Sequence, residues 1–269
     1  MIIESKEQIK EALEHIAQAK VCLDKLLKEI GVAPAPAPAP LPKCVNKIHV
    51  FVDAGHGGIH PTTGKYMTTP SDGKFYEFPD GFTAYEGQVN RLIADKFCQM
   101  LDKVEGVSYT KVYHEYVDTT MTERVMMANT ISIGLAKDVK PVFMSFHSNA
   151  SGIASKGNGE TPRGWSVFIH PNSQKGLLIA TAWEKETKLL FEDRISYRVH
   201  GKYPHQAVWE ANFQILRTTR MPAALVECLF FTNREDTEIL YSERSQMHFA
   251  AAARNAVMAL QQPTNYTRL

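Results

Sequence analysis

Residues Ile48 to Gly58 read I-H-V-F-V-D-A-G-H-G-G, and the rest of the chain is organised around them. Ile48, Val50 and Val52 alternate with His49, Phe51 and Asp53 in an apolar, β-branched run, the pattern of a buried strand. The strand is expected to break at Ala54-Gly55-His56-Gly57-Gly58, where glycines around one histidine favour a tight turn that backbone and ligand can approach closely. An open α/β sheet keeps its chemistry just beyond the carboxyl ends of its strands, which is where His56 falls.

The same logic recurs downstream. Pro141 to Ala150 reads P-V-F-M-S-F-H-S-N-A, a buried strand over Val142 to Phe146 that delivers His147 at its end. Between these stretches, residues 59–81 form a long loop, and Tyr66, Phe75, Tyr76, Phe78 and the adjoining Phe82 either line a groove or anchor the loop. A helix follows over Thr83 to Val104, with Val89, Leu92, Ile93, Phe97 and Leu101 on one face, Thr83 as N-cap and Glu86 in its first turn. Val107 to Tyr116 reads as a strand and Thr120 to Ile133 as a helix, whose Asn129 reads as structural; Gly164 to His170 is a further strand and Ser173 to Phe191 a helix. Residues 193–211 read as a surface loop, and its His200 and His205 are not expected to bind metal. In Leu216 to Phe231, a short strand over Ala223 to Val226 leaves Glu227 at its end among Val226, Cys228, Leu229 and Phe230. A carboxylate is costly to bury there unless it is paired, hydrogen-bonded or needed. A helix over Glu238 to Leu260 closes the chain.

Composition narrows the classes. Thirty Lys+Arg against 29 Asp+Glu give a formal charge of +1, so no overall field recommends a nucleic acid or a membrane as partner. Cys22, Cys44, Cys98 and Cys228 make no C-x-x-C pair, which argues against a zinc ribbon or a disulfide framework. No run of about 18 apolar residues suggests a membrane span. Residues 1–31 read as a separate amphipathic helix in which Ile2, Ile9, Ile16, Leu23 and Ile30 recur every seven residues. Residues 32–45 include A-P-A-P-A-P-A-P-L-P, an extended spacer of about 3.1 Å per residue. A helix held off the main domain, residues 46–269, has another copy as its natural partner, so homo-oligomerisation through residues 2–30 is expected; folding back on the main domain is the alternative. The N-terminus has no positive region followed by an apolar stretch, so synthesis in the cytoplasm without a signal peptide is expected.

Two strand-end histidines and a helix-start glutamate suggest a zinc site, since catalytic zinc commonly takes three protein ligands of these types. Separations of 30 and 61 residues mean that the fold would have to assemble it, and spacing alone decides little. There is no H-E-x-x-H.

Taken in order, D-A-G-H-G-G with His56, the Glu86 helix, Met121, Arg124, Ala128 and Asn129 in M-x-x-R-x-x-x-A-N, S-F-H-S-N-A, G-W-S-V-F-I-H-P and M-P-A-A-L-V-E-C-L-F-F-T-N resemble the zinc-dependent N-acetylmuramoyl-L-alanine amidases of the AmiC/CwlV type. The resemblance runs from about Lys47 to Leu260. It implies a phosphorylase/hydrolase-like three-layer α/β fold with a central, mostly parallel twisted sheet. It implies Zn²⁺ held by His56, Glu86 and His147, with Glu227 as the catalytic carboxylate that takes the proton of a zinc-activated water and passes it to the departing L-alanine nitrogen. Asn149 and Arg220 are candidates for substrate contact, with turn hydrogen bonding and surface charge as the plainer readings. Peptidoglycan is the implied partner. The long 59–81 loop and the lack of a recognisable wall-binding repeat depart from the family pattern. Without an export signal, the chain fits a phage endolysin that waits for a holin before reaching the cell wall; a bacterial enzyme exported by another route is the alternative. Rival functions are another zinc peptidase or deacetylase on the same scaffold, or a wall-binding module without catalysis.

Overall fold

Strand β1 (Lys47–Ala54) forms where the opening stretch predicts it, one residue longer at each end, and is buried on both faces. The computed structural model describes residues 46–69, 73–151, 162–199 and 202–269; the expected N-terminal helix, the Pro/Ala spacer and His200 lie outside the described residues. Apart from the main sheet, β2 (Phe75–Glu77) and β3 (Thr83–Tyr85) pair antiparallel as a small hairpin. The main sheet has six strands, in the order β4 (Val107–Lys111), β1, β5 (Val139–Asn149), β8 (Ala223–Phe230), β6 (Ser166–Ile169) and β7 (Val208–Glu210). Neighbours run parallel except where β6 meets β8. This is the mostly parallel α/β sheet expected.

Side chains repeat every two residues along a strand, so the central strands offer two apolar faces. Val50 and Val52, Val142, Met144 and Phe146, and Ala224 and Val226 join one core with α1 (Glu86–Leu101), α3 (Gln174–Phe191) and α6 (Glu243–Gln261). Phe51, Phe143, Ala223 and Leu225 join a smaller core with α2 (Met121–Ile133) and the five-residue α4 (Gln214–Thr218). Phe51 and Phe143 are fully buried there, each contributing on the order of 2–3 kcal/mol. The same alternation carries Asp53, Ser145, His147 and Glu227 onto this second face, toward the carboxyl ends of β1, β5 and β8. The polar side chains thus gather on the face with the thinner helical cover.

Several boundaries differ from the sequence reading, each for a local reason. The helix expected from Thr83 starts at Glu86, because Thr83–Tyr85 stays extended to pair with β2; Tyr85, not Thr83, is the N-cap. Glu227 does not follow its strand but lies inside it, since β8 gains hydrogen-bonding partners on both sides, with His147 of β5 and Ser166 of β6 opposite Glu227. The register of β5 and β8 slips just beyond His147, and Leu229 there takes φ 105°, a strained value for a non-glycine residue. The 193–211 loop contains the three-residue edge strand β7, too short for periodicity to announce. The closing helix divides into α5 (Arg234–Leu240) and α6 around Tyr241, whose hydroxyl accepts from Tyr85 N at 2.8 Å; α7 (Pro263–Tyr266) follows. α2 begins as expected: Thr120 and Glu123 form a reciprocal capping box.

Candidate active site

His56 stands in the left-handed region at φ 62°, two residues beyond the end of β1. Its Nε2 lies 3.3 Å from Glu86 Oε1, and His147 Nδ1 lies 3.0 Å from the same oxygen. The two imidazoles are nearly perpendicular, with centroids 5.2 Å apart. One ligand atom from each of His56, Glu86 and His147 can be chosen so that all lie within 4.8 Å of one another; no other group of His, Cys, Asp or Glu among the described residues meets this test. The fold therefore brings together the three residues that the sequence reading joined. Glu86 opens α1, where the helix dipole favours a carboxylate.

Two glycines make this closeness feasible. A Cβ at Gly55 would lie 2.0 Å from His147 Cε1, and one at Gly87 would lie 1.9 Å from the Gly57 carbonyl oxygen. Gly87 is locked between backbone atoms that cannot swing away, so Gly87→Ala is expected to destabilise the domain by about 1–3 kcal/mol, the usual penalty of overpacking. Thermal denaturation checks this; a wild-type midpoint would mean that α1 and the turn are not packed as described.

The two carboxylates are in opposite electrostatic states. Burial pushes the pKa of Glu86 up, but hydrogen bonds from His147 and His56 and their positive charge outweigh it and hold the group well below the usual carboxylate range. Lys74 Nζ lies 3.6 Å from Glu86 Oε2 and brings a positive charge to the same carboxylate. For Glu227, burial and then the negative charge of Glu86 raise the pKa well above the ordinary value. Part of the Glu227 residue meets solvent, yet Oε2 is shielded and has no hydrogen-bond partner. An orphaned buried carboxylate oxygen beside a His/His/Glu cluster costs stability and marks Glu227 as a candidate for chemistry. Ser166, opposite it in the ladder, also leaves its Oγ buried without a partner.

A cleft of about 970 Å³ opens over these groups, lined by Lys74, Asn149, Phe213 and Arg217 among others. Asn149 is in the wall, with Oδ1 accepting from Ala150 N at 2.9 Å. Arg220 is not among the lining residues; its backbone N donates to Asn129 Oδ1 at 2.8 Å, and Arg217 occupies the wall instead. Asn129 also donates to Thr218 O at 2.9 Å and so ties α2 to the end of α4, a structural role. His205 lies outside the cluster. Aromatic residues anchor the 59–81 loop: Tyr66 OH bridges Gly87 N and Lys74 O, and Phe78, with Phe82 just beyond the loop, stacks under Arg234 of α5. Sequence reasoning passed over Lys74, Asp53, Asn90, Arg91 and Arg217. For Arg91 a signal existed, since its place beside Asn90 in the buried stretch of α1 puts a cation among core residues.

Residues 50–259 match the family model described as N-acetylmuramoyl-L-alanine amidase. The chain belongs to that family. It is an amidase of peptidoglycan, cleaving the bond between N-acetylmuramic acid and L-alanine. Its fold is shared with solved structures of such enzymes. An N-acetylmuramoyl-L-alanine amidase from Clostridium difficile 630 aligns with TM-score 0.60 and 23% identity over 81% of this chain and 98% of its own. AmiC2 of Nostoc punctiforme aligns with TM-score 0.59 and 23% identity over 81% and 98%. The catalytic domain of CwlV from Bacillus (Paenibacillus) polymyxa var. colistinus aligns with TM-score 0.59 and 20% identity over 79% and 97%. No curated protein sequence matches the amidase. Among its described residues no helix is long and apolar enough to cross a membrane.

Proposed function

We propose that the amidase is a zinc enzyme, with His56, Glu86 and His147 holding the ion and Glu227 moving the proton. The observation that carries this reading is the closeness of the three ligand atoms, all within 4.8 Å, beside a carboxylate whose Oε2 has no partner. Two imidazoles and one carboxylate are a fitting donor set for catalytic zinc, which leaves a position open. When bound, the ion would polarise the scissile carbonyl and acidify the attacking water. Glu227 accepts the proton of that water and returns it to the L-alanine nitrogen as the bond breaks, which needs a carboxylate that is readily protonated. Its raised pKa supports that role. Asn149, in the cleft wall, is proposed to contact the substrate, with Arg217 as a nearer guanidinium than Arg220.

The test is a digest of purified peptidoglycan by the zinc-loaded chain, read by mass spectrometry. Intact stem peptides with free L-alanine amino termini are expected; cuts within the peptide or lost acetyl groups would point to a peptidase or a deacetylase. Metal analysis of the same sample should find one zinc per chain.

The setting proposed for this activity is wall lysis by a phage endolysin, with residues 2–30 joining copies of the chain so that several catalytic domains engage the wall together. The heptad repeat of Ile and Leu supports the association. Deleting residues 1–42 is expected to reduce the mass in light scattering to that of one chain, and a full-length protein that is already monomeric would refute the idea.

A further inference from the structure

The turn that carries His56 is held by more than its glycines. Three successive carbonyls, those of Ala54, Gly55 and His56, each accept hydrogen bonds from buried side chains. Arg124 Nη1 donates to Ala54 O at 2.5 Å and its Nη2 to His56 O at 3.1 Å. Arg91 Nη1 and Asn90 Nδ2 reach Gly55 O at 3.4 and 3.3 Å. Arg124 is itself fixed. Its Nη1 lies 2.5 Å from Asp53 Oδ1, its Nε donates to Thr119 O at 2.7 Å, and the other Asp53 oxygen accepts from Ser145 Oγ at 2.6 Å. Arg124 is 3% exposed and Asp53 1%, so neither is a solvated surface charge.

This network acts on a strained residue. A left-handed φ is costly for a residue with a Cβ, and it persists only where the surroundings fix it. The planar guanidinium fork can bond two divergent carbonyls and a carboxylate at once, which a single ammonium cannot reproduce. We propose that Arg124 is a positioning residue for the metal centre: by tying the carbonyls of Ala54 and His56 to Asp53, it holds His56 in the conformation that aims Nε2 at Glu86, and so sets the affinity for the ion. The inference rests on the zinc reading above. It makes α2, which supplies no ligand, a determinant of metal binding.

The experiment is chelator competition for zinc on the full chain, comparing wild type with Arg124→Lys, Asn129→Ala and His147→Ala, with circular dichroism of each metal-free protein. Arg124→Lys keeps a cation for Asp53 but loses the fork, and is expected to bind zinc about 10–100-fold more weakly, the range found when groups that orient metal ligands are removed. Asn129→Ala loosens the same helix at its contact with Thr218 and Arg220 without touching the turn, so it should lower the melting temperature yet keep wild-type affinity. Wild-type affinity in Arg124→Lys, or an equal loss in Asn129→Ala, would overturn the proposal. If Arg124→Lys fails to fold, Asp53→Asn takes its place: it removes the buried carboxylate that fixes Arg124 Nη1 and leaves only the longer ion pair with Asp118 at 3.5 Å, and unweakened zinc binding would again be fatal. A wild-type chain that binds no zinc would defeat the metal reading itself. Binding by wild type but not by His147→Ala shows that the titration reports on this centre, so the two failures are told apart.

Discussion

Glu227→Gln is expected to bind zinc as wild type does and to hydrolyse muramoyl-L-alanine about 10²–10⁴-fold more slowly, the span that a positioned acid or base contributes. The substitution keeps the shape of the side chain and its place in β8 between His147 and Ser166. What it removes is the ability of Oε2 to take and return a proton. Turnover of a soluble muramoyl-peptide, with zinc content measured on the same sample, checks both halves. Wild-type turnover would remove Glu227 from the mechanism, and lost zinc would make it a ligand instead.

The same variant has a second consequence, in stability. A carboxyl whose folded pKa is raised binds its proton more tightly in the native state than in the unfolded chain. Its contribution is therefore greatest below the unfolded carboxylate range and is lost as pH rises toward the elevated native value. Since burial and Glu86 raise Glu227, the metal-free wild type should be weakened at neutral pH by holding this group. Glu227→Gln should then melt at a higher temperature than wild type at neutral pH, and the difference should shrink on acidification. An active site that destabilises its own fold is a common compromise.

How far the sequence speaks depends on what each residue leaves as a trace. The places of His56 and His147 were legible because buried strands announce themselves, although His147 does not end its strand as expected: β5 runs on to Asn149 through its pairing with β8, and His56 follows β1 by two residues. Glu227 was legible as an acid in an apolar run, although its strand proved longer than its own residues suggest, because pairing with β5 continues as far as Phe230. Thr83 misled as an N-cap, since pairing with Phe75–Glu77 decides where α1 begins and that partner lies in a loop without periodicity. Arg124 stood in plain view within a motif, but nothing in its spacing reveals Asp53, 71 residues away, as its partner. Lys74 is hidden for a similar reason: only the folded hairpin brings it to Glu86. Candidate ligands near element ends can be read from pattern. The groups that hydrogen-bond around them are joined only by tertiary contact.

His147→Ala is expected to cost the chain its zinc and, with it, detectable hydrolysis. Catalytic zinc sites commonly use three protein ligands, and this change leaves His56 and Glu86 alone. The affinity should fall by more than the roughly 10–100-fold expected from disturbing an orienting group such as Arg124. Chelator competition distinguishes the two grades of loss. The metal-free variant should also respond differently to acid. Glu86 is held below the usual range against the cost of burial, first by its bond from His147 and then by that from His56, so it lends the fold stability that is present above the unfolded carboxylate pKa and lost as pH falls through the native one. Without the 3.0 Å bond from His147, that contribution shrinks, and the gap in melting temperature between wild type and variant should narrow as the solution is acidified. A variant that keeps full zinc affinity would show that the ion is held elsewhere. One that loses zinc while its acid response matches wild type would show that the His147–Glu86 bond carries no stability of its own and exists for the metal alone.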